Sequence, residues 1–471
     1  MTVSPCRTDS FVYSKEIYQF LVDAREFCIR TNCEQIASIT LDIGIVDPLV
    51  VFDKLRESNK LNFYWENRGN REAIAALDSV AKLTISGEER FYEAEVFIRD
   101  RLKNIIHFSR TNWLCSQPYF FCSFSFFDKI IKQVDYPFPP ATVFLPRWQV
   151  VVKDNCSVLI ANTVINAGVN IQQILQSLRT QLEIIQSQEY YSYKSDSEPR
   201  FSKRVVANPK KFKRSVASAL QAIESNQLTK VVLADTLDVR SNTDFNLFQS
   251  LNNLRQLHPN CYVFSTSNGK GQNFIGASPE RLISIRNQQL ITDALAGSAP
   301  RGQTLEEDEN NANRLLNSDK ERHEHSLVID FITQRLSELG LLPQMLAPRL
   351  RQLSNIQHLW TPIQAIVPNW VHPLRIVAQL HPTPAVAGAD RNIACAEIQR
   401  YESFERGLYA APLGWVDGSG NCEFIVGIRS ALIDGKSARL YAGAGIVAGS
   451  DPDKELAEIQ LKLQALLKAL V

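Results

Sequence analysis

From Ala37 to Val46, the apolar residues Ile39, Leu41, Ile43 and Ile45 alternate with Thr40, Asp42 and Gly44, the period-2 pattern of a half-buried strand. Phe144 to Val152 and Val158 to Ala161 also read as strands. Ile171 to Gln188 reads as an amphipathic helix through Ile171, Leu175, Leu178 and Leu182. Ser187 to Arg204 is polar, nearly free of aliphatic residues, and forms the best linker candidate. Beyond it, Pro209 to Ser225 carries Phe212, Val216, Leu220 and Ile223 at helical spacing, with Asn208 as a candidate cap and Pro209 in the first turn. A strand over Thr229 to Ala234 follows.

Near the C-terminus, Gly414 to Val416 and Glu423 to Leu432 flank Asp417-Gly418, while Leu432 and Arg439 to Ala442 flank Asp434-Gly435. These are hairpin signals, because Asp-Gly readily supplies the positive φ angles of tight turns. Antiparallel sheet with interspersed helices, without a regular βαβ alternation, makes α+β the expected class. Two regions are expected, residues 1–190 and residues 205–471, with no internal repeat.

Length and composition narrow the function. The 471 residues allow two or three domains or one large one, and 45% apolar with 21% charged residues describes an ordinary globular chain. Fifty-one Lys and Arg nearly cancel fifty Asp and Glu, so no overall field attracts nucleic acid or an anionic membrane. Nine cysteines without a C-x-x-C pair fit neither a disulfide framework nor a zinc site, which points to reduced thiols in cytosol. The first residues lack a basic stretch followed by an apolar one, and no apolar run of about 18 residues occurs. A cytoplasmic location without membrane contact is therefore expected.

Candidate chemistry lies in the second region. Glu321 and Glu324 project from one face of a helix in DKERHEHSLVIDFI, and Glu455, Glu458 and Lys462 form one stripe on the last helix, capped by Ser450 or Asp451. A solvated acidic face is the plain alternative. Two such helices could instead hold a hard divalent ion that keeps waters and shares a substrate carboxylate, as Mg²⁺ commonly does. Lys230 sits in the apolar run TKVVLA, where it either snorkels outward or, partly desolvated, serves as a base. Glu280 in GASPERL is either a protonated acid or a surface charge. Arg429, within EFIVGIRSAL, suits carboxylate recognition, and Ala442-Gly443-Ala444-Gly445 offers unobstructed backbone amides. Neither H-E-x-x-H nor a dinucleotide or P-loop fingerprint is present.

In order, TKVVLA (229–234), GASPERL (276–282), LAGSAPRG (295–302), DKERHEH (319–325), LSNIQHL (353–359), HPTPAVAG (381–388), RGLYAAPLGW (406–415), IRSA (428–431), YAGAGIV (441–447) and ELAEIQLK (455–462) resemble the chorismate-binding enzymes. That family includes isochorismate synthase, salicylate synthase and the first components of anthranilate and aminodeoxychorismate synthases. The resemblance implies an anthranilate synthase component I-like α+β fold, a large antiparallel or mixed sheet core flanked by helices to which residues 1–190 contribute.

It further implies that Lys230 activates water to attack C2 of chorismate, and that Glu280 protonates the departing C4 hydroxyl. Glu324 and Glu458 would hold Mg²⁺, with Glu321 and Glu455 beside or behind them. Arg429 and Tyr409 match positions that bind the enolpyruvyl carboxylate. Gly297, Gly443, Gly445 and Lys462 match carboxylate-contacting positions, and His358 lines the same pocket.

Within the family, members that use ammonia generally carry Gln in place of Lys230 and Thr in place of Ser298, and depend on a glutaminase. Lys230 with Ser298 favours water and no glutaminase partner. Salicylate synthases tend to carry Thr where Ala385 stands, so Ala385 favours stopping at isochorismate. The expectation is a magnesium-dependent isochorismate synthase acting as a monomer, with FYWE (63–66) resembling members that feed menaquinone or phylloquinone formation. Salicylate synthase and a siderophore-pathway isochorismate synthase are the alternatives. Asp235 departs from the Arg or Ser found in many relatives.

Overall fold

The computed structural model describes residues 13–110, 117–129, 136–154, 156–187, 201–203, 209–353 and 356–470. Most of the candidate linker, and Asn208 as a cap, lie outside the described residues.

Among the described residues two sheets form the framework. The larger has twelve strands, and its middle runs Val231–Ser241, Ser437–Ile446, Ser430–Asp434, Asn273–Ser278, Tyr262–Ser267, Asn62–Asn67 and Glu72–Leu77. The other has ten, including Ile356–Ile366, Gln289–Pro300, Arg281–Arg286, Cys422–Val426, Pro412–Asp417 and Tyr119–Phe124. Pairing is almost wholly antiparallel, apart from Gln35–Asp42 beside Ile105–Ser109. Each sheet takes strands from both sides of residues 190–205. The sheets meet through apolar side chains, as where the Phe63 and Phe121 rings lie 4.9 Å apart, and through polar ones, as where Tyr262 Oη donates to Glu423 Oε1 at 2.8 Å. The class is α+β.

Local chemistry explains several elements. Asn170 Oδ1 caps the helix Ile171–Gln186, Ser318 caps Asp319–Glu338, and Asp451 Oδ1 accepts from Asp453 N and Lys454 N to start Pro452–Ala469. The helix Asp319–Glu338 packs on the strand Gln289–Pro300, and the C-terminal helix packs on Ser437–Ile446. Four glutamates therefore ride on two helices laid over two sheets.

Several expectations are corrected. Gln35–Asp42 is buried on both faces, Ser38 and Thr40 included, so the alternation does not mark a solvent side. Phe144 to Val152 is two strands, Ala141–Leu145 and Trp148–Lys153, in different sheets, because Pro146 can neither donate to a ladder nor continue the run. The expected strand Thr229 to Ala234 begins at Val231 and runs on to Ser241. At the Asp417 turn the positive φ falls on Gly420 (82°), not on Gly418, and Asp417 Oδ1 instead accepts from Ser419 N and Asn421 N.

Glu423 to Leu432 is likewise not one strand. It ends at Val426 in one sheet and resumes at Ser430 in the other. The chain makes the same change of sheet at Pro279 and Glu280, between Asn273–Ser278 and Arg281–Arg286. The two crossings are bonded to each other: Val426 N donates to Glu280 O, Ala277 N to Arg429 O, and Ser278 Oγ to Val426 O. Gly276 permits this approach, since a Cβ there would lie 2.7 Å from Arg429 O.

Candidate active site

The paired crossings form one wall of a cavity with about 980 Å³ of empty space. Glu280 from one crossing and Ile428 and Arg429 from the other reach it, together with Gly297, Ser298, His358, Ala385, Tyr409, Gly443, Gly445 and Lys462. Glu321, Glu324, Glu455 and Glu458 complete the lining from the two helices. Fifteen candidate positions were named from sequence, and all but Lys230 line this one cavity.

Lys230 lies beneath it. Its side chain has no exposed surface, and its Nζ donates to Glu324 Oε1 at 2.7 Å. Snorkelling is thereby excluded. Glu280 is also no surface charge: it is 4% exposed, and burial, reinforced by the Asp293 carboxylate, pushes its carboxyl up to about 8. A carboxyl in that range carries a proton at neutral pH.

A hydrogen-bonded chain crosses the cavity. Arg429 Nη2 lies 3.4 Å from His358 Nε2, and His358 Nδ1 lies 2.9 Å from Ser298 Oγ and 3.3 Å from Gly297 O. A guanidinium only donates, so Nε2 accepts and Nδ1 carries the hydrogen. Burial, then the Arg429 and Lys462 charges, hold the imidazole well below its usual range and hence neutral. Ser298 N continues the chain to Glu321 Oε2 at 3.0 Å. Gly297, at φ 76°, sits in a bulge of its strand, where a Cβ would crowd Glu321 at 3.2 Å.

Glycine also opens the opposite wall. A Cβ at Gly443 would stand 2.8 Å from Tyr409 Oη, and one at Gly445 would stand 2.8 Å from Glu324 Oε1. Lys462 Nζ donates to Gly443 O at 2.8 Å and pairs with Glu458 at 2.7 Å. Arg429 (φ 50°) and Ala410 (φ 59°), both lining residues, adopt left-handed backbone, which a residue with a Cβ takes only at a cost.

The carboxylates repel one another. Burial and then Glu458 push Glu455 up to about 7, and burial with Glu324 raises Glu321. Among the described residues no three His, Cys, Asp or Glu form a ready-made metal cluster. The donor set fits a hard divalent cation held by one or two carboxylates with waters and substrate oxygens, a charge that would relieve the repulsion.

Residues 22–471 match the family model described as chorismate binding enzyme. The chain belongs to the chorismate-binding enzymes. It is 29% identical over 471 residues to isochorismate synthase MenF of Bacillus subtilis (strain 168), covering 97% of each chain. It is 41% identical over 264 residues to the salicylate biosynthesis isochorismate synthase of Pseudomonas aeruginosa, a match spanning 55% of each. The solved structure of MenF, the menaquinone-specific isochorismate synthase from Escherichia coli, superposes with a TM-score of 0.76 at 25% identity, covering 96% of this chain and 100% of that one.

For this chorismate-binding enzyme, sequence reasoning missed several lining residues. Val386 and Ile428 stand beside named positions, but their apolar character gave no signal. Lys320 could have been found: it adjoins Glu321 in sequence and lies 3.9 Å from Glu321 and 3.8 Å from Glu455. Asp235 is absent from the main cavity. It lines a separate one with Glu402 and Arg439, where burial, partly offset by the Thr236 amide, pushes it up to about 6. No described helix is long and apolar enough to cross a membrane.

Proposed function

We propose that this enzyme is an isochorismate synthase. The observation that carries the reading is one cavity in which a protonated acid, Glu280, faces both the cationic Arg429 and Lys462 and the carboxylate set Glu321, Glu324, Glu455 and Glu458. Chorismate has two carboxylates and a C4 hydroxyl to be expelled, so it needs cationic contacts and a proton donor. In the proposed reaction, Lys230 takes a proton from water as the oxygen bonds to C2, the ring double bonds shift, and the C4–O bond breaks. Glu280 gives its proton to the departing hydroxyl, so one water is consumed and one released. A base and an acid thus divide the task.

Arg429 and Tyr409 would hold the enolpyruvyl carboxylate, with Lys462 and the Gly297, Gly443 and Gly445 backbone around the ring. Glu324 and Glu458 would hold Mg²⁺, which supplies a positive charge for the ring carboxylate. Glu324 belongs to two sets, the Lys230 pair and the cation ligands. A Glu324 carboxylate engaged elsewhere leaves the Lys230 amine available to water. The solved neighbour's description as menaquinone-specific supports a supply of isochorismate for menaquinone formation.

The test is incubation of the purified protein with chorismate and Mg²⁺, followed by chromatography. Isochorismate is expected as the product. Salicylate with pyruvate would support a salicylate synthase instead, and aminated product under saturating ammonium would overturn the choice of water.

A further inference from the structure

Among the described residues, the strand that follows Lys230 is paired with another strand on one edge only where it meets the cavity. Val231–Ser241 is laddered along its length with Ser437–Ile446, whereas its other strand neighbour, Phe201–Lys203, reaches only Val239 to Ser241. Among the described residues, no strand lies beside the outward backbone groups of Val232 and Ala234. A buried ion pair bonds to them. Arg406 Nη2 donates to Val232 O at 2.8 Å, and Glu402 Oε1 accepts from Ala234 N at 2.8 Å. Arg406 and Glu402 are bonded to each other at 2.9 Å and 2.6 Å, with side chains 1% and 3% exposed.

Arg406 also grips the loop that carries Ala385. Arg406 Nη1 donates to Val386 O at 2.8 Å, Val232 N donates to Ala387 O at 2.8 Å, and Gly388 packs on the Lys230 carbonyl so closely that a Cβ would lie 2.1 Å from it. Arg406 also lies 4.4 Å from the centroid of Phe126 and 5.8 Å from that of Tyr409, a cavity-lining ring. One guanidinium thus joins the lysine strand, the Ala385 loop and Tyr409, and Glu402 supplies the charge that lets it stay buried.

We propose that Arg406 and Glu402 are positioning residues, a clamp that holds the outward edge of this strand and sets the placement of Lys230 relative to Ala385 and Tyr409. The claim about turnover rests on the functional reading above; the clamp itself does not. Neither residue touches the cavity, so their loss displaces a reacting group without removing one. Small displacements of this kind cost about 10- to 100-fold in rate.

The test replaces the pair by apolar residues of similar length, Arg406→Met with Glu402→Met, since such replacement of a buried ion pair often preserves stability. Amide exchange at Ala234, whose N–H donates to Glu402, and at Val232, whose N–H donates to Ala387 O of the loop that Arg406 holds, reports the clamp without reference to any reaction. It is expected to rise in the variant while exchange elsewhere in the sheet is held, and unchanged exchange overturns the clamp. With wild type shown to form isochorismate, kcat of the folded variant is expected to fall about 10- to 100-fold with a smaller change in KM. A folded variant with wild-type kcat overturns the positioning role.

Arg406→Lys keeps the charge and hence the fold, but one ammonium cannot span Val232 O, Val386 O and Glu402 together. It is expected to show an intermediate loss of kcat and faster exchange at Val232. Wild-type kcat and exchange in this variant would overturn the proposal even if the double variant fails to fold. If wild type forms no isochorismate, the functional reading fails while amide exchange still decides the clamp.

Discussion

The Lys230 ammonium lies 2.7 Å from a Glu324 carboxylate oxygen, with the lysine side chain wholly enclosed and the glutamate 13% exposed toward the cavity. That asymmetry has an energetic consequence. Removing the carboxylate strands a buried positive charge, which typically costs about 3–5 kcal/mol, whereas removing the lysine leaves a carboxylate that water can reach. Glu324→Ala is therefore predicted to lower the unfolding free energy by about that range, and Lys230→Met by clearly less. Urea denaturation of both variants at one pH checks this. A larger loss for Lys230→Met contradicts the burial assigned to the pair.

Glu280 sets the alkaline limit. Its carboxyl is raised from 4.5 to about 8, so it is protonated below that pH and loses its proton above it. An acid that must donate fails once deprotonated, so kcat/KM is predicted to fall as pH rises through about 8. Asp293→Asn removes the second cause of the shift and should move the limb to lower pH. A limb in the ordinary carboxylate range for wild type, or no response to Asp293→Asn, contradicts the assignment.

Four of the eleven described helices were legible from their apolar period, among them the two that carry the glutamates. Asp451, one of the two caps named for the last helix, starts it, while the Ser318 cap of the other helix was not anticipated; a three-residue spacing sets Glu321 with Glu324 and Glu455 with Glu458. The sheets were less legible. Glu423 to Leu432 reads as one apolar run, yet Arg429 in left-handed backbone turns it between sheets, a change made by contacts distant in sequence. Burial of ionisable groups was least legible. Lys230 meets Glu324 across 94 residues, and Arg406 meets Val232 across 174. Local pattern alone left open whether Lys230 snorkels or acts as a base, whether Glu280 is a surface charge or an acid, and whether the Glu pairs are a solvated face or cation ligands. The family resemblance gave these residues roles, and the cavity brings all but Lys230 to a common lining.

Metal dependence is the third prediction. Four mutually repelling carboxylates facing a dianionic substrate need added positive charge, so EDTA is predicted to abolish turnover and Mg²⁺ to restore it. Glu458→Gln should raise the Mg²⁺ concentration needed for half-maximal rate without lowering the melting temperature. Full activity in excess EDTA contradicts the ligand assignment.

The fourth prediction isolates the base. General-base catalysis typically contributes about 10²- to 10⁴-fold, so Lys230→Ala is predicted to lower kcat by about that factor. KM should change far less, because Arg429, Lys462 and the glycine backbone remain. Steady-state kinetics on folded variant checks this. A loss smaller than about tenfold contradicts the role.

The most direct test of water addition at C2 is mass spectrometry of isochorismate formed from chorismate in heavy-oxygen water under single-turnover conditions. The account predicts one heavy oxygen per isochorismate, located at C2, with none in the chorismate left unreacted. Isochorismate that retains only light oxygen would mean that the C4 hydroxyl migrates within the substrate, and would contradict the assignment of Lys230 and Glu280 as base and acid in a water-for-hydroxyl exchange.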